Sequence, residues 1–338
     1  DTTKLMDKAR AEAQLSMQLY TDMFGPLPYG RLAMTQQPYP SFGQAWPMLV
    51  YMPITAFLDS TYRAQLGLAG ASSFFKYVAA HEVSHQWWGH AVGWDSYRDQ
   101  WLSEGIAVLS ASLFAQVAYK NDKFVEYWED IRRDVIQKND KGRRPLELGS
   151  VTMGYRLNTA KTGSATYQII YSKGAAVLHM LRMMMWDPKT GDQRFSAMMR
   201  DFVRTHIHQN VSTDDFKRAV EKHMIPELNL AGNGRMDWFF DQWVYGTALP
   251  DYKLDYRLEP ADGGRTRLLC KVTQSQVAGD FVMRVPIYID FDGNLRRLGT
   301  VVLNGNSTSP EIDVMLPKKP KRVLLCGFED VLCTMDAR

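Results

Sequence analysis

The sequence is poor in cysteine and lacks a long apolar run, and each shortage excludes a class of protein. Its 338 residues include three cysteines, Cys270, Cys326 and Cys333, and no C-x-x-C pair. A metal site built from thiolates is therefore not expected. The three thiols leave open either one disulfide with a free thiol or three buried thiols. No stretch approaches about 18 uninterrupted apolar residues, so the sequence predicts no membrane span.

The chain also lacks a large excess of charge of either sign. The chain has 40 basic and 37 acidic residues, for a net charge of +3. A protein that binds nucleic acid through its overall charge would be far more basic, so we expect no nucleic-acid partner. With 45% hydrophobic and 23% charged residues, the composition is typical of a folded chain.

The patterning changes once along the chain. Residues 1–249 are dominated by apolar residues at helical spacing, whereas residues 250–338 contain β-rich runs. Asp292-Gly293 between two of these runs predicts a hairpin. A short strand is expected at residues 48–54, where Pro53 favours an edge position. The sequence therefore predicts an α+β fold, with a mostly helical domain at 1–249 and a small antiparallel β-sandwich at 250–338.

The motif HEVSH places two of the seven histidines four residues apart, at His81 and His85. On a helix this spacing points both imidazoles from one face, where their nitrogens can reach one zinc ion at about 2.0–2.1 Å. Glu82 lies about 100° around the helix, so it can activate a water molecule without binding the metal. An ordinary amphipathic helix that carries two histidines is the alternative.

A third ligand is needed to complete a zinc site. The extended pattern HExxHxxGxxH would require Gly at 88 and His at 91, but the chain has Trp88 and Ala91. Eighteen residues separate His85 from Glu104, which lies in WLSEGIA at the start of a predicted helix. We therefore expect one Zn²⁺ per chain, bound by His81, His85 and Glu104, with one coordination position open to water.

These residues resemble the aminopeptidase N-like gluzincins, a family of zinc metallopeptidases. The HExxH motif, the eighteen-residue spacing and W-L-x-E-G are its signature, and YSKGA and WVYGTALP resemble segments further along. The resemblance covers essentially the whole chain. It implies a thermolysin-like catalytic domain, a β-sandwich, a peptide substrate and the hydrolysis of peptide bonds, with removal of amino-terminal residues.

Further roles follow from this resemblance. Tyr171 of YSKGA would donate a hydrogen bond to the oxyanion, although a packed helix tyrosine is the alternative. Asp99 is a candidate to orient a zinc-bound imidazole, or a solvated side chain. His90 is interpreted as structural, since three ligands suffice. Glu82 would take a proton from water and pass it to the leaving amine.

The sequence departs from the family pattern upstream of HExxH. The segment Gly43, Gln44, Ala45 and Trp46 stands where the family binds the substrate, and Trp46 replaces the Glu that holds the free amino group. Residues 41–58 contain no Asp or Glu. An indole offers an ammonium group only a weaker cation–π contact. Strict aminopeptidase activity is thus in question, and a zinc endopeptidase or an inactive peptide-binding scaffold are alternatives.

The resemblance also implies a further partner. Family members place a β-rich domain of about 200 residues before this region. We therefore expect an N-terminal domain in the parent protein, which would help to wall the substrate cleft.

Overall fold

The longest helix among the described residues begins at the tryptophan of WLSEGIA, and the mostly apolar and small residues of its first part, 101–115, are buried except for Glu104. The computed structural model describes residues 5–58, 60–65, 77–140, 142–160, 162 and 165–335. In its first unit, Asp1–Met236, the helices are α1 (Met6–Phe24), α2 (Ser60–Gln65), α3 (Val78–Ser84), α4 (Trp101–Ile136), α5 (Gly174–Met185), α6 (Gln193–His206) and α7 (Thr213–Lys222).

Helices α4 and α5 form the centre of the first unit. Every residue of α5 is buried. Helix α4 is interrupted at Lys120, whose φ of 66° is not helical, so two helical segments meet there. By length and composition α4 could cross a membrane, but 78% of its most apolar window is buried within the protein. This burial is what a central core helix requires.

The helix that carries HEVSH is short in the structure. Helix α3 begins at Val78 and ends at Ser84, with His85 as its C-cap. Residues 66–76, which precede it, lie outside the described residues. After His85 the chain turns sharply at Gly89, whose φ is +105°. This turn leads into a short strand and then into α4.

Two small sheets flank these helices. Strands β1 (Ala33–Gln37), β2 (Gln44–Trp46) and β3 (Leu49–Pro53) form one sheet in the order β1-β3-β2. The edge position expected for the Pro53 strand is therefore wrong, because β3 lies in the centre. It tolerates Pro53 because β2 pairs only with residues 49–51, so the proline faces one partner strand only. Strands β4 (Val92–Trp94) and β5 (Gln209–Val211) form the second sheet.

The second unit, Asp237–Arg338, begins with helix α8 (Asp237–Trp243) and continues as strands. These are β6 (Asp251–Pro260), β7 (Thr266–Ser275), β8 (Val282–Phe291), β9 (Asn294–Asn304), β10 (Ser307–Thr308), β11 (Ile312–Leu316), β12 (Arg322–Leu325) and β13 (Thr334–Met335). Asp292 and Gly293 join β8 to β9 with φ of 56° and 86°, the left-handed pair that a two-residue hairpin turn requires.

Helices in the first unit and two antiparallel-rich sheets in the second confirm the α+β fold class. One sheet runs β10-β7-β6-β13, with β11 also on β7, and the other runs β12-β8-β9. The chain divides after Met236, before α8, whereas the sequence pattern changes near residue 250. The domain boundary at 249/250 stays a prediction.

Candidate active site

Three side chains from α3 and α4 meet at one point. The Nε2 atoms of His81 and His85 lie 3.2 Å apart, and Glu104 Oε2 lies 3.6 Å and 3.5 Å from them. In a tetrahedral zinc site with bonds of about 2.0–2.1 Å, ligand atoms lie roughly 3.3 Å from one another. The cluster therefore fits a zinc ion, and two nitrogens with one carboxylate are ligands that zinc accepts.

Glu104 reaches this point because two helix backbones touch beside it. A Cβ atom added to Gly105 would lie 2.8 Å from the carbonyl carbon of Gly174. Glycine at 105 thus allows α4 to pack directly on the start of α5. Glu104 lies one residue before Gly105, and Tyr171 lies three residues before Gly174. The contact between the glycines therefore brings both side chains to the same cavity. The glycines of WLSEGIA and YSKGA therefore have a packing role.

The orientation of His85 is fixed by a backbone carbonyl. Its Nδ1 lies 2.8 Å from the carbonyl oxygen of Trp88, and the Ser103 hydroxyl donates to the same oxygen at 3.1 Å. In the neutral imidazole, donation by Nδ1–H leaves the lone pair of Nε2 facing His81 and Glu104. Gly89 makes room for this arrangement, since a Cβ there would lie 2.6 Å from Ser103 Oγ.

Asp99 makes different contacts from those expected. Its Oδ1 accepts hydrogen bonds from the amide and hydroxyl of Thr213, at 2.7 and 2.8 Å, and its Oδ2 accepts one from Ser96 at 2.7 Å. The expectation that Asp99 orients a zinc-bound imidazole is therefore corrected, because its two oxygens bind Thr213 and Ser96 and the Trp88 carbonyl orients His85. Asp99 instead ties the start of α4 to the first turn of α7.

The charges within the cluster favour a cation. Burial lowers the pKa of His81 to about 4, so its imidazole is neutral. Burial alone would raise the pKa of Glu104, but the charge of His85 and hydrogen bonds from both imidazoles lower it below its usual range. For His85, the negative charge of Glu104 outweighs burial and raises the pKa to about 9. A permanent anion thus lies between two imidazoles.

Glu82 is only 3% exposed and borders the same cavity. Burial raises the pKa of its carboxyl to about 8, with Glu104 adding to the shift and His85 opposing it. A bound cation would lower this pKa, because it stabilises the carboxylate. Gly43 packs against this group so closely that a Cβ atom would lie 2.4 Å from Oε1. A side chain at position 43 would therefore displace the carboxylate of Glu82.

Tyr171 lies on a π-helical segment, Gln168–Lys173, that precedes α5. Such segments often aim side chains at functional sites. Its ring centroid is 6.3 Å from that of His81, with the planes 12° apart, and it stacks on Tyr167 at 4.9 Å. Burial and the charge of Glu104 raise the pKa of Tyr171, so its hydroxyl stays protonated. Tyr167, four residues earlier, was missed, although its helical spacing from Tyr171 is a visible signal.

These side chains line a cavity of about 330 Å³. Gly43, Gln44 and Ala45 form part of its wall, and their role in binding substrate stays a prediction. Trp46 does not line it, and the indole is 55% exposed. His90 also borders the cavity, and burial lowers its pKa to about 4. Among the described residues that line the wall, only Glu82 and Glu104 are carboxylates.

Comparison with known proteins points in the same direction. The model of the Peptidase family M1 domain matches residues 16–243. Endoplasmic reticulum aminopeptidase 2 of Homo sapiens is 23% identical over 197 residues, covering 58% of this chain and 19% of that protein. Leukotriene A-4 hydrolase of Xenopus laevis is 22% identical over 260 residues, covering 75% and 38%. The chain thus spans about a fifth to two-fifths of the length of these relatives.

A solved structure shares the fold. Legionella pneumophila aminopeptidase A, crystallised in complex with aspartic acid, matches 98% of this chain and 35% of its own with a TM-score of 0.63. The sequences are 16% identical. At this identity the match describes the fold of the chain, and its chemistry has to be argued from its own residues.

Proposed function

Since this chain belongs to peptidase family M1, we propose that it hydrolyses peptide bonds with a zinc ion held by His81, His85 and Glu104, and that it removes residues from the amino end of peptides. The observation that carries the proposal is the position of Glu82. Its buried carboxylate borders the same cavity as the three metal-binding side chains, yet it is not one of them. A site that only stored a metal would have no use for it.

The residues of the cavity divide the chemistry between them. A zinc ion held there supplies Lewis acidity, which polarises the scissile carbonyl and makes a water molecule more acidic. Glu82 accepts the proton of the attacking water and later gives it to the nitrogen of the leaving amine. Tyr171 donates its hydroxyl hydrogen to the carbonyl oxygen as negative charge develops there. The Trp88 carbonyl holds His85 in the tautomer that binds metal.

Replacing Glu82 with glutamine tests this assignment. Glu82→Gln keeps the shape of the side chain but cannot accept a proton, so hydrolysis should fall roughly 10²–10⁴-fold. Zinc content should stay at one per chain, because the ligands are untouched. The matched control is Glu129→Gln on the exposed side of α4, which should leave the rate unchanged. A Glu82→Gln enzyme that cleaves peptides at the original rate would refute the role of this carboxylate.

A second function is favoured by the wall of the cavity. A buried ammonium group needs an anionic partner, and the described wall offers no carboxylate besides Glu82 and Glu104. Cleavage of internal bonds, or of peptides with a blocked amino end, does not need that partner. A peptide and its N-acetylated form distinguish the two functions. A strong preference for the free amine supports an aminopeptidase, whereas equal cleavage supports an endopeptidase.

A further inference from the structure

Two cysteines of the second unit lie at the two ends of one loop. Cys326 directly follows β12, and Cys333 directly precedes β13. The amide of Cys326 donates to the carbonyl of Pro286 at 3.1 Å, and the amide of Thr334 donates to Pro250 at 2.9 Å. Both ends of the loop are therefore fixed to neighbouring strands, and the positions of the two cysteines are set by the sheets.

The loop between them is packed. A Cβ atom added to Gly327 would lie 2.6 Å from the side chain of Leu295. The carboxylate of Asp330 accepts hydrogen bonds from the Tyr288 hydroxyl and from the amide of Phe328. Asp330 itself is 2% exposed. These contacts hold the loop in one conformation, so the ends of the loop stay together.

The two thiols meet inside the unit. Both are fully buried, and the thiol of Cys326 is hydrogen-bonded to Cys333. The third cysteine, Cys270, lies in the middle of β7. We propose that Cys326 and Cys333 are a dithiol pair that closes to a disulfide when a small-molecule disulfide such as oxidised glutathione supplies the oxidising equivalents. This inference does not depend on the proposed hydrolysis of peptides.

The reaction is an ordinary thiol–disulfide exchange. One cysteine thiolate attacks the small disulfide, which forms a mixed disulfide and releases one reduced small thiol. The second cysteine thiolate then displaces the other small thiol, so the pair loses two protons and two electrons. The hydrogen bond to Cys333 and burial hold the pKa of Cys326 well above its usual range. Exchange should therefore be slow in the folded protein and faster during refolding at mildly alkaline pH.

The experiment refolds the full chain at about pH 8.5 with oxidised or with reduced glutathione. Free thiols are then counted after denaturation, and cross-linked peptides are identified by mass spectrometry. With oxidised glutathione we expect a single free thiol, Cys270, and a peptide that links Cys326 to Cys333. The closed loop should raise the melting temperature by about 5 °C over the reduced form.

Matched variants separate the pair from the third thiol. Cys270→Ser should form the same cross-link and leave no free thiol, whereas Cys333→Ser should form no cross-link and lose the shift in melting temperature. The wild-type and Cys270→Ser measurements decide the question even if Cys333→Ser fails to fold. Three free thiols after oxidative refolding, mixed disulfides without closure, or a cross-link to Cys270 would each overturn the proposal.

Discussion

Two parts of the cavity differ in how tightly the structure holds them. The floor is the set of buried or partly buried chemical groups at α3, α4 and the π-helical segment, namely His81, Glu82, His85, Glu104 and Tyr171. The rim is the segment 41–48, of which residues 41–45 line the cavity and Trp46 does not. Floor residues such as His81 and Glu82 are 2–3% exposed, whereas Trp46 on the rim is 55% exposed. The floor fits one chemistry closely, and the rim leaves the choice of substrate open.

The largest effect should come from removing a ligand in the floor. Glu104→Ala takes away the one carboxylate ligand of the cluster, so zinc binding should weaken by more than roughly 100-fold. Activity should fall by more than about 1,000-fold, because the reaction requires the metal. Metal analysis after dialysis against a chelator measures zinc binding, and the rate of peptide cleavage measures activity. A variant that retains zinc and activity would show that another residue completes the site.

Loss of the Tyr171 hydroxyl should have the next largest effect. Tyr171→Phe keeps the ring and its stacking on Tyr167 but removes the hydrogen-bond donor, so kcat should fall by roughly 10²–10³. KM and zinc content should change little, since the donor acts on charge that develops during the reaction. Tyr256→Phe, at an exposed position of β6, is the control. An unchanged kcat would mean that Tyr171 is a packing residue.

The contact between rim and floor at Gly43 can be tested separately. In Gly43→Ala the new methyl group would lie 2.4 Å from Glu82 Oε1, so the carboxylate must move. We expect kcat to fall roughly 10–100-fold with zinc content unchanged, because small misplacements of a catalytic group are costly. Gly30→Ala is the matched control, since its Cβ meets nothing within 4 Å. Equal rates in both variants would show that Glu82 tolerates displacement.

The smallest effect is expected at the outer rim. Trp46→Glu places a carboxylate where the sequence resemblance expects one, and it should raise kcat/KM for peptides with a free amino end over acetylated ones by up to about 10-fold. Trp46→Gln, which is polar but uncharged, should not change this ratio. Cleavage of a peptide and of its N-acetylated form by the two variants measures this ratio of kcat/KM values. If both variants behave alike, charge at this position does not select the substrate.

The same contrast explains what the sequence could predict. The α+β fold follows from hydrophobic periodicity, and the ligand set follows from the spacing of His81, His85 and Glu104. The structure places the metal-binding atoms of these three side chains within 4.8 Å of one another. Helix geometry alone predicts that His81 and His85 share one face, whereas Glu104 lies on another helix and its inclusion rests on the family resemblance. The edge position predicted for β3 was wrong, because the order of strands in a sheet depends on partner strands that lie elsewhere in the sequence.

Contacts between distant segments could not be predicted. Asp99 and Thr213 are 114 residues apart, and no local pattern indicates that the first would cap the helix of the second. The carbonyl of Trp88 is a backbone group, so no residue type reveals that it would orient His85. Gly43 and Gly105 stand out in their motifs, but only the structure shows that Glu82 packs against the first and the backbone of Gly174 against the second.

The contact between Gly105 and Gly174 has a consequence for how this site can change. Two peptide backbones in contact set the separation of Glu104 and Tyr171, so that separation does not depend on the volume of any side chain between them. Apolar substitutions deeper in α5 can therefore accumulate without altering the spacing of the two groups. Variation in selectivity is left to the segment beside β2, where residues can be exchanged without moving the reacting groups.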